Sequence, residues 1–332
     1  MKWLSLSKNT TGARYLVNEE SEPVNLFGMA RCQGCCETEL KEYGGVDGVC
    51  EHFKALGCNY IRLAVYLRGQ TGERGDMPVT DMIELCGGYN PEGINRFIDE
   101  YVDPDVQAIK KHGMYIMLDL HDYPPSNEDS EIIRFAYEKY LLIWKEFAKR
   151  YKDDPDIAVF EIWNEPYPAD TATALKDTPE WVEGIREFFF EAVKTIREID
   201  KKHIIMVSDY NAGWGKAWDI CWKNYKDKLD PEFNNTCFSI HVGIQQLDIE
   251  APEYGEWVVK TAEDNNVCLL LGEVETEGGI SSVTSIENLV DMIISTRDTH
   301  HMTAVLWRPH NDEINYVKYW TEPIKNYIST VK

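Results

Sequence analysis

The chain is poor in basic residues relative to acidic ones, and this imbalance disfavours several classes of partner. Lysine and arginine together number 34 against 57 aspartates and glutamates, which gives a formal net charge of −23 over 332 residues. A field of that sign repels phosphate backbones and anionic lipid surfaces. We therefore expect no nucleic-acid partner, no membrane partner, and a substrate that is neutral or cationic.

Long apolar runs are also missing. No stretch of about 18 apolar residues exists that could cross a bilayer, and residues 1–23 lack the apolar core of a secretory signal. We expect the chain as it stands to be cytoplasmic, or secreted if a signal peptide was removed.

Cysteine occurs nine times but forms no recognisable framework. An odd count leaves at least one thiol unpaired, and the wide spacing differs from that of a small disulfide scaffold, which favours a reducing environment. Cys32, Cys35 and Cys36 could form a zinc site with Cys50 and Cys58, but no second Cys-x-x-Cys or histidine pair has suitable spacing. Gly-rich phosphate loops are absent too. We predict no metal and no cofactor.

Short β-rich runs alternate eight times with longer amphipathic segments whose apolar residues recur every three or four positions. The predicted strands are 25–30, 60–65, 115–120, 159–165, 204–210, 236–242, 267–273 and 303–309. Eight parallel strands with eight helices form a closed (β/α)8 TIM barrel of about 250 residues plus insertions, a fold of the α/β class. No linker or break in composition divides the chain, so residues 1–332 are predicted to form one domain.

Helix boundaries are marked by residues with fixed backbone preferences. Asn90-Pro91 and Thr178-Pro179 predict helix starts, because proline is favoured in the first helical turn. Gly57 and Gly113 predict helix ends.

Polar or aromatic residues stand at the ends of most predicted strands, where a buried polar group is costly unless it has a function. They are Arg62, His121-Asp122, Trp163-Asn164-Glu165-Pro166, His241, Glu273 and Trp307-Arg308. Each alone has a structural explanation: an ion pair for the arginine, a satisfied core position for the histidines, and packing for Trp307. Because all of these strand ends share one rim of a barrel, their joint placement favours an active site.

Two of these residues, Glu165 and Glu273, suit the cleavage of a glycosidic bond. In that reaction one carboxylic acid protonates the leaving oxygen, while another carboxylate attacks the sugar or activates water. Apolar strand runs lead into both glutamates, which disfavours solvated surface positions. Glu161 lies inside the fourth strand and is expected to face well below the rim, and Glu275 falls beyond the seventh strand.

Several segments carry a family resemblance that covers nearly the whole chain: YLVNEESEPVNLFGMARCQG, GCNYIRLAV, IMLDLHD, FEIWNEP, LLLGEVE and VLWRP. In these the chain resembles glycoside hydrolase family 5, the cellulase-like members of a retaining clan built on (β/α)8 barrels. Asn-Glu-Pro after an apolar strand is the most specific of these motifs.

The resemblance implies a role for each matching residue. Glu165 would be the catalytic acid/base, Glu273 the nucleophile, and Asn164 the ligand of the sugar 2-hydroxyl. Arg62 would support the nucleophile and keep it ionised. His121 and His241 would line the cleavage subsite, with Trp307 as its stacking floor.

One position departs from the family pattern. The family usually shows His-x-Tyr after the sixth strand, with the tyrosine hydroxyl bonded to the nucleophile, whereas this chain has His241-Val242-Gly243. Either another phenol, Tyr210 or Tyr66, reaches the nucleophile, or the nucleophile is held less firmly.

Three tryptophans follow the fifth strand at a spacing of four residues: Trp214, Trp218 and Trp222. Helix packing is the favoured explanation for this spacing. Trp214 is kept as a candidate for stacking on sugar in a further subsite.

The resemblance favours a retaining endo-β-1,4-glucanase that forms a single catalytic domain, acts as a monomer and binds a neutral oligo- or polysaccharide. A β-mannanase or an exo-acting β-glycosidase is the alternative enzyme. A non-catalytic carbohydrate-binding barrel is the alternative of another class; the missing tyrosine favours it, and the retention of both glutamates disfavours it.

Overall fold

The computed structural model of this protein describes residues 1–32, 43–69, 80–121, 130–166, 178–210, 217–275 and 303–306. Eight parallel strands form a closed barrel. They are β3 (Phe27–Cys32), β4 (Tyr60–Val65), β7 (Tyr115–Leu120), β8 (Ile157–Glu161), β9 (Ile204–Val207), β10 (Thr236–Gly243), β11 (Leu269–Glu275) and β12 (Ala304–Leu306). Their spatial order around the barrel is β10-β11-β12-β3-β4-β7-β8-β9. The predicted (β/α)8 barrel is confirmed.

Two short antiparallel pairs accompany the barrel. Strands β1 (Ser5–Leu6) and β2 (Leu16–Val17) form a hairpin, and β5 (Arg68–Gly69) pairs with β6 (Thr80–Asp81) after the second barrel strand. Leu4, Leu6 and Leu16 of the hairpin belong to the apolar cluster inside the barrel. The hairpin therefore closes the end of the barrel at which the strands begin.

The helices lie between the strands and cover the barrel. They are α1 (Val46–Ala55), α2 (Met82–Leu85), α3 (Pro91–Phe97), a π-helical turn (Ile98–Val102), α4 (Asp103–Lys111), α5 (Ser130–Tyr151), α6 (Pro179–Arg197), α7 (Ala217–Cys221), α8 (Lys226–Leu229) and α9 (Ile244–Asn265). Among the described segments, none of these helices has the length and apolarity that crossing a bilayer requires.

The predicted helix boundaries are confirmed. Asn90 caps α3 by accepting hydrogen bonds from the backbone nitrogens of Glu92 and Gly93, and Thr178 caps α6 through Trp181. Gly57 and Gly113 follow α1 and α4 with φ angles of 92° and 67°, which glycine adopts without steric cost.

Successive side chains along each barrel strand alternate between two apolar cores, one between the sheet and the helices and one inside the barrel. On β4, Ile61, Leu63 and Val65 join the apolar layer between the sheet and the helices. Tyr60 and Ala64, at the alternate positions, belong to the cluster inside the barrel. Because successive side chains point to opposite faces, Arg62 faces inward, and the polar residues of the neighbouring strands meet it there.

Some predicted strand ends are wrong. The fourth strand ends at Glu161 rather than at residue 165, and the fifth ends at Val207 rather than at residue 210. The first and seventh strands lie two residues later than predicted. Apolar content was the signal for these ends, but Ile162 and Trp163 are buried after the regular ladder has stopped, so burial outlasts the strand.

Seven cysteines fall within the described residues. Cys32 is the last residue of β3, and the other six are free and buried: Cys50, Cys58, Cys86, Cys221, Cys237 and Cys268. Burial raises the pKa of the Cys58 thiol far above its usual value, which keeps the group neutral. Cys35 and Cys36 lie outside the described residues.

Candidate active site

A fully buried arginine, Arg62, lies at the centre of the upper barrel. Its Nε donates to Oε2 of Glu161 at 2.7 Å, and its Nη2 donates to Oε1 of the same carboxylate at 3.0 Å. The Nη1 atom donates to Oε2 of Glu273 at 3.0 Å. One guanidinium therefore links a carboxylate of β8 to a carboxylate of β11.

The same guanidinium begins a second line of hydrogen bonds. Nη2 of Arg62 donates to Oδ1 of Asn164 at 2.7 Å, so the amide nitrogen of Asn164 is directed to Nε2 of His121, 3.3 Å away. The other ring nitrogen, Nδ1, lies 2.6 Å from Oδ2 of Asp119. Since Nε2 accepts from Asn164, Nδ1 carries the hydrogen and donates it to Asp119. These bonds fix both the amide and the imidazole.

A turn after β8 brings Asn164 and Glu165 to the same interior. The backbone nitrogens of Ile162 and Asn164 donate to Met206 of β9 and Leu120 of β7, each at 3.0 Å. Glu165 then adopts a φ of 36°, a left-handed conformation that a regular strand does not contain. Two consecutive residues can therefore both face inward.

A bulge in β11 does the same for Glu273. Ile240 of β10 faces Leu271, whereas His241 faces Glu273, so Gly272 is an extra residue in the ladder. A Cβ atom at Gly272 would lie 2.2 Å from Oγ of Ser239, a distance that only glycine avoids. Without the bulge, alternation would turn Glu273 towards the helix layer.

The two glutamates face each other across His241. Nδ1 of His241 lies 2.7 Å from Oε1 of Glu165 and 3.9 Å from Oε2 of Glu273. One carboxylate oxygen of each glutamate and a ring nitrogen of the histidine all lie within 4.8 Å of one another. Glu165 is the partly exposed member of this group, while Glu273 and His241 are buried.

Burial sets the acidity of the pair. Burial raises the pKa of Glu273, and the negative charge of Glu165 raises it further; His241 and Arg62 lower it, and the resulting value is about 7. Arg62 thus offsets the effect of burial on the pKa of Glu273 only in part. Burial also lowers the pKa of His241, but Glu273 and Glu165 outweigh this effect and raise it.

The three groups are also a donor set that could hold a divalent cation, since carboxylate and imidazole are common metal ligands. Two contacts oppose this use. The Arg62 guanidinium already binds Oε2 of Glu273 at 3.0 Å, and Nδ1 of His241 is bonded to Glu165. A cation would have to displace both, so the arrangement fits proton transfer better than metal binding.

Comparison with known proteins assigns this chain to a family. The family described as Cellulase (glycosyl hydrolase family 5) matches residues 17–313. This chain belongs to glycosyl hydrolase family 5. The predicted resemblance is confirmed.

Relatives of this family 5 chain are distant. An endoglucanase of Bacillus sp. strain KSM-635 is 27% identical over 237 residues, which are 69% of this chain and 21% of that protein. A β-xylosidase of Phanerodontia chrysosporium is 23% identical over 60% of this chain and 38% of its own length. The chain thus spans well under half the length of these two curated relatives.

Solved structures agree in fold with this family 5 barrel. A β-glucanase of Saccharophagus degradans in complex with cellotetraose superposes with a TM-score of 0.66, at 14% identity, over 99% of this chain and 94% of the other. At that identity the likeness supports the barrel alone.

The structure brings six of the residues selected from sequence into contact: Arg62, His121, Asn164, Glu165, His241 and Glu273. Tyr66 packs against the His121 ring, with ring centroids 4.9 Å apart. Tyr210 is buried, and its carbonyl accepts a hydrogen bond from the Trp181 indole at 3.0 Å. Asp122, Trp214 and Trp307 lie outside the described residues, so their roles stay predictions.

Two carboxylates that hold the site together were not selected from sequence. Asp119 orients His121, and Glu161, set aside as facing below the rim, binds Arg62 with both oxygens. Both are fully buried. Period-two alternation could have found Asp119, because it precedes His121 by two residues and shares its inward face.

We expect Glu161→Gln to lower the free energy of unfolding by about 3 to 5 kcal/mol, because Glu161 is the carboxylate that binds the buried Arg62 guanidinium with both oxygens. The amide would also direct a donor at a guanidinium N–H. Glu191→Gln, which breaks an exposed 3.5 Å pair with Lys194, is the matched control and should cost less than about 0.5 kcal/mol. Denaturant unfolding of both variants measures the difference; equal losses would contradict the role of Glu161.

Proposed function

We propose that this chain is a retaining endo-β-1,4-glucanase in which Glu165 is the general acid/base and Glu273 is the nucleophile. The observation that carries the proposal is the separation of the two carboxylates, whose nearer oxygens lie within 4.8 Å. Retaining glycosidases keep the carboxyls about 5 to 5.5 Å apart, whereas inverting ones leave about 6.5 to 9.5 Å for a water molecule. Membership of family 5 supports the same chemistry.

The reaction takes two displacements. An oxygen of Glu273 bonds to the anomeric carbon while Glu165 transfers its proton to the departing glycosidic oxygen, which leaves a glycosyl ester on Glu273. Glu165, now ionised, takes a proton from water, and the resulting hydroxide oxygen displaces Glu273 from the sugar. The second inversion restores the original β configuration.

The hydrogen bonds of the site indicate a role for each of the other residues. Arg62 binds Oε2 of Glu273, which leaves Oε1 to attack. Asn164 uses one amide hydrogen on His121 and keeps the other for the sugar 2-hydroxyl. His241 holds Glu165 towards Glu273 through the 2.7 Å contact. Geometry and proton supply are thus set before substrate binds, which is the pre-organisation that enzymes use.

The cluster also supplies the required proton near neutral pH. The pKa of Glu273 is about 7, and Glu165 and His241 lie within hydrogen-bonding or Coulomb range of it. Near neutral pH these three residues therefore hold protons in common rather than titrating independently. The productive arrangement has the proton on Glu165 and the charge on Glu273. Arg62 favours that arrangement because it touches Glu273 and not Glu165.

A neutral β-linked glucan suits both the charge and the relatives. The net charge of −23 disfavours a polyanionic substrate, and several of the curated relatives are named endoglucanases. One relative is named a β-xylosidase, which keeps an exo-acting β-glycosidase as the second candidate.

Hydrolysis of hydroxyethylcellulose, mixed-linkage β-glucan, β-mannan, xylan and aryl β-glucosides tests this proposal. We expect the β-1,4-glucans to lose viscosity early, because an endo-acting enzyme cuts within chains, and NMR should detect the new reducing ends first as β anomers. Release of monosaccharide without loss of viscosity would indicate exo action. Initial α anomers would exclude retention, and binding without cleavage would indicate a carbohydrate-binding barrel.

We expect Glu165→Ala and Glu273→Ala to fail in different ways. Glu273→Ala should lose turnover on every substrate, because no glycosyl ester can form. Glu165→Ala should still be glycosylated by dinitrophenyl glycosides, whose leaving group needs no acid, and azide should then accelerate release of a β-glycosyl azide. Glu191→Ala is the exposed control and should behave as wild type. Wild-type rates in Glu273→Ala would contradict its assignment as the nucleophile. Rates in Glu165→Ala that do not depend on the leaving group would contradict its assignment as the acid/base.

The pH dependence of kcat/KM should report the buried nucleophile. With a dinitrophenyl glycoside, the rising limb follows ionisation of Glu273 in the free enzyme, and we expect its midpoint near the pKa of about 7 rather than near the ordinary 4.5. Activity should therefore fall as the pH drops through 7. Glu191→Gln should leave the midpoint unchanged because its charge is exposed and screened. A wild-type midpoint close to 4.5 would contradict this reading of the site.

A further inference from the structure

A second cavity lies at the opposite end of the barrel. It has a volume of about 520 Å³ and is bounded by the β1–β2 hairpin and by the loops that precede β9, β10 and β11, through residues such as Lys202, Asn235 and Asn266. The glutamates lie at the carboxyl ends of the strands, whereas these loops lie at the amino ends. The cavity is therefore separate from the active site.

The charge of this cavity opposes that of the whole chain. Four cationic side chains and one carboxylate line it: Lys8, Arg14, Lys201, Lys202 and Glu19. Aromatic rings lie close to two of the ammonium groups. Nζ of Lys202 lies 4.6 Å from the centroid of the Trp3 ring, and Nζ of Lys201 lies 5.2 Å from that of Phe233. In a chain of net charge −23, such a cluster favours an anion.

The decisive group is Arg14, which is only 8% exposed and has neutral partners. Its Nε donates to the Ser7 carbonyl at 2.7 Å, and its Nη1 and Nη2 donate to Oδ1 and the backbone carbonyl of Asn234 at 2.8 and 2.9 Å. Within the described part of the chain, Arg14 forms no ion pair. The nearby carboxylate of Asp230 is bound to Arg197 at 2.9 Å.

A buried guanidinium without a counter-charge is costly, and burial lowers the pKa of Arg14. Arginine has five N–H donors, so three hydrogen bonds leave two donors for a ligand. A bound oxyanion would supply both the missing charge and the missing acceptors.

The size and polarity of the cavity indicate more than a bare ion. Sites for small molecules typically enclose about 300 to 1,000 Å³, a range that includes this cavity. Ser5 and Thr10 add hydroxyl groups to the lining. The amide nitrogen of Asn266 is used on the carbonyls of Asn9 and Gly12, which leaves its oxygen to accept from a ligand hydroxyl.

We propose that this cavity binds a sugar that carries a carboxylate or phosphate group, with Arg14 and the two lysines at 201 and 202 as the ligands of the anion. A carboxylated sugar would come from acidic side groups of plant polysaccharide, and a phosphorylated one from metabolism. The shared chemistry is an oxyanion on a polyhydroxylated ring. The site is independent of the function proposed for the barrel's other end.

Calorimetric titration of the full chain with glucuronate, glucose 6-phosphate, inorganic phosphate and glucose tests the proposal. At least one of the two anionic sugars should bind, more tightly than phosphate, and glucose should not. Which of the two binds identifies the source of the ligand. Absence of binding by both anionic sugars, or equal binding of glucose, would overturn the proposal.

Variants locate the binding. The double variant Lys201→Met/Lys202→Met should weaken binding of the anionic sugar at least about tenfold, the loss expected when charge-assisted hydrogen bonds are removed. Lys145→Met/Lys223→Met makes the same change in charge at two exposed lysines elsewhere and should keep wild-type affinity. Arg14→Gln should abolish binding; because Arg14 also ties the hairpin to Asn234, the lysine pair decides the outcome if that variant fails to fold. Equal affinity in the two double variants would overturn the assignment.

Discussion

The buried charge of Arg62 is the constraint around which the upper barrel is built. A guanidinium fully removed from water is tolerated only with close counter-charges and filled hydrogen bonds. Strands β7, β8 and β11 each direct a carboxylate at it, from Asp119, Glu161 and Glu273. The need to compensate the charge of Arg62 therefore also fixes the position of Glu273, the proposed nucleophile.

Two backbone irregularities turn that charge cluster into a reactive site. Gly272 is an extra residue that breaks the alternation of β11, and Glu165 has a positive φ in the turn after β8; each irregularity brings a glutamate inside. Such departures are costly and persist where surrounding contacts hold them. Here the contacts are the hydrogen bonds of Arg62 to Glu273 and of His241 to Glu165.

The two ends of the barrel have opposite electrostatic character. The carboxyl ends of the strands gather carboxylates around Arg62 and His241, and the pKa values of His241 and Glu273 are both raised. The amino ends, closed by the hairpin, gather four cationic side chains and, among the described residues that line the cavity, one carboxylate. In barrel enzymes the upper rim usually carries catalysis and the lower end stability; the charge of the lower cavity adds a binding role that we infer for this chain.

The sequence by itself determined the barrel, the capped helix starts and the two glutamates, because strand alternation, Asn-Pro and Thr-Pro caps and an Asn-Glu-Pro motif are local signals that neighbours along the chain specify. It did not determine where the fourth strand ends, since Ile162 and Trp163 stay buried beyond the ladder. Only the tertiary structure decided that Glu161 binds Arg62, that Gly272 bulges and that the pKa of Glu273 is raised. Those outcomes depend on pairing between strands far apart in sequence and on exclusion of water, and neither leaves a local pattern.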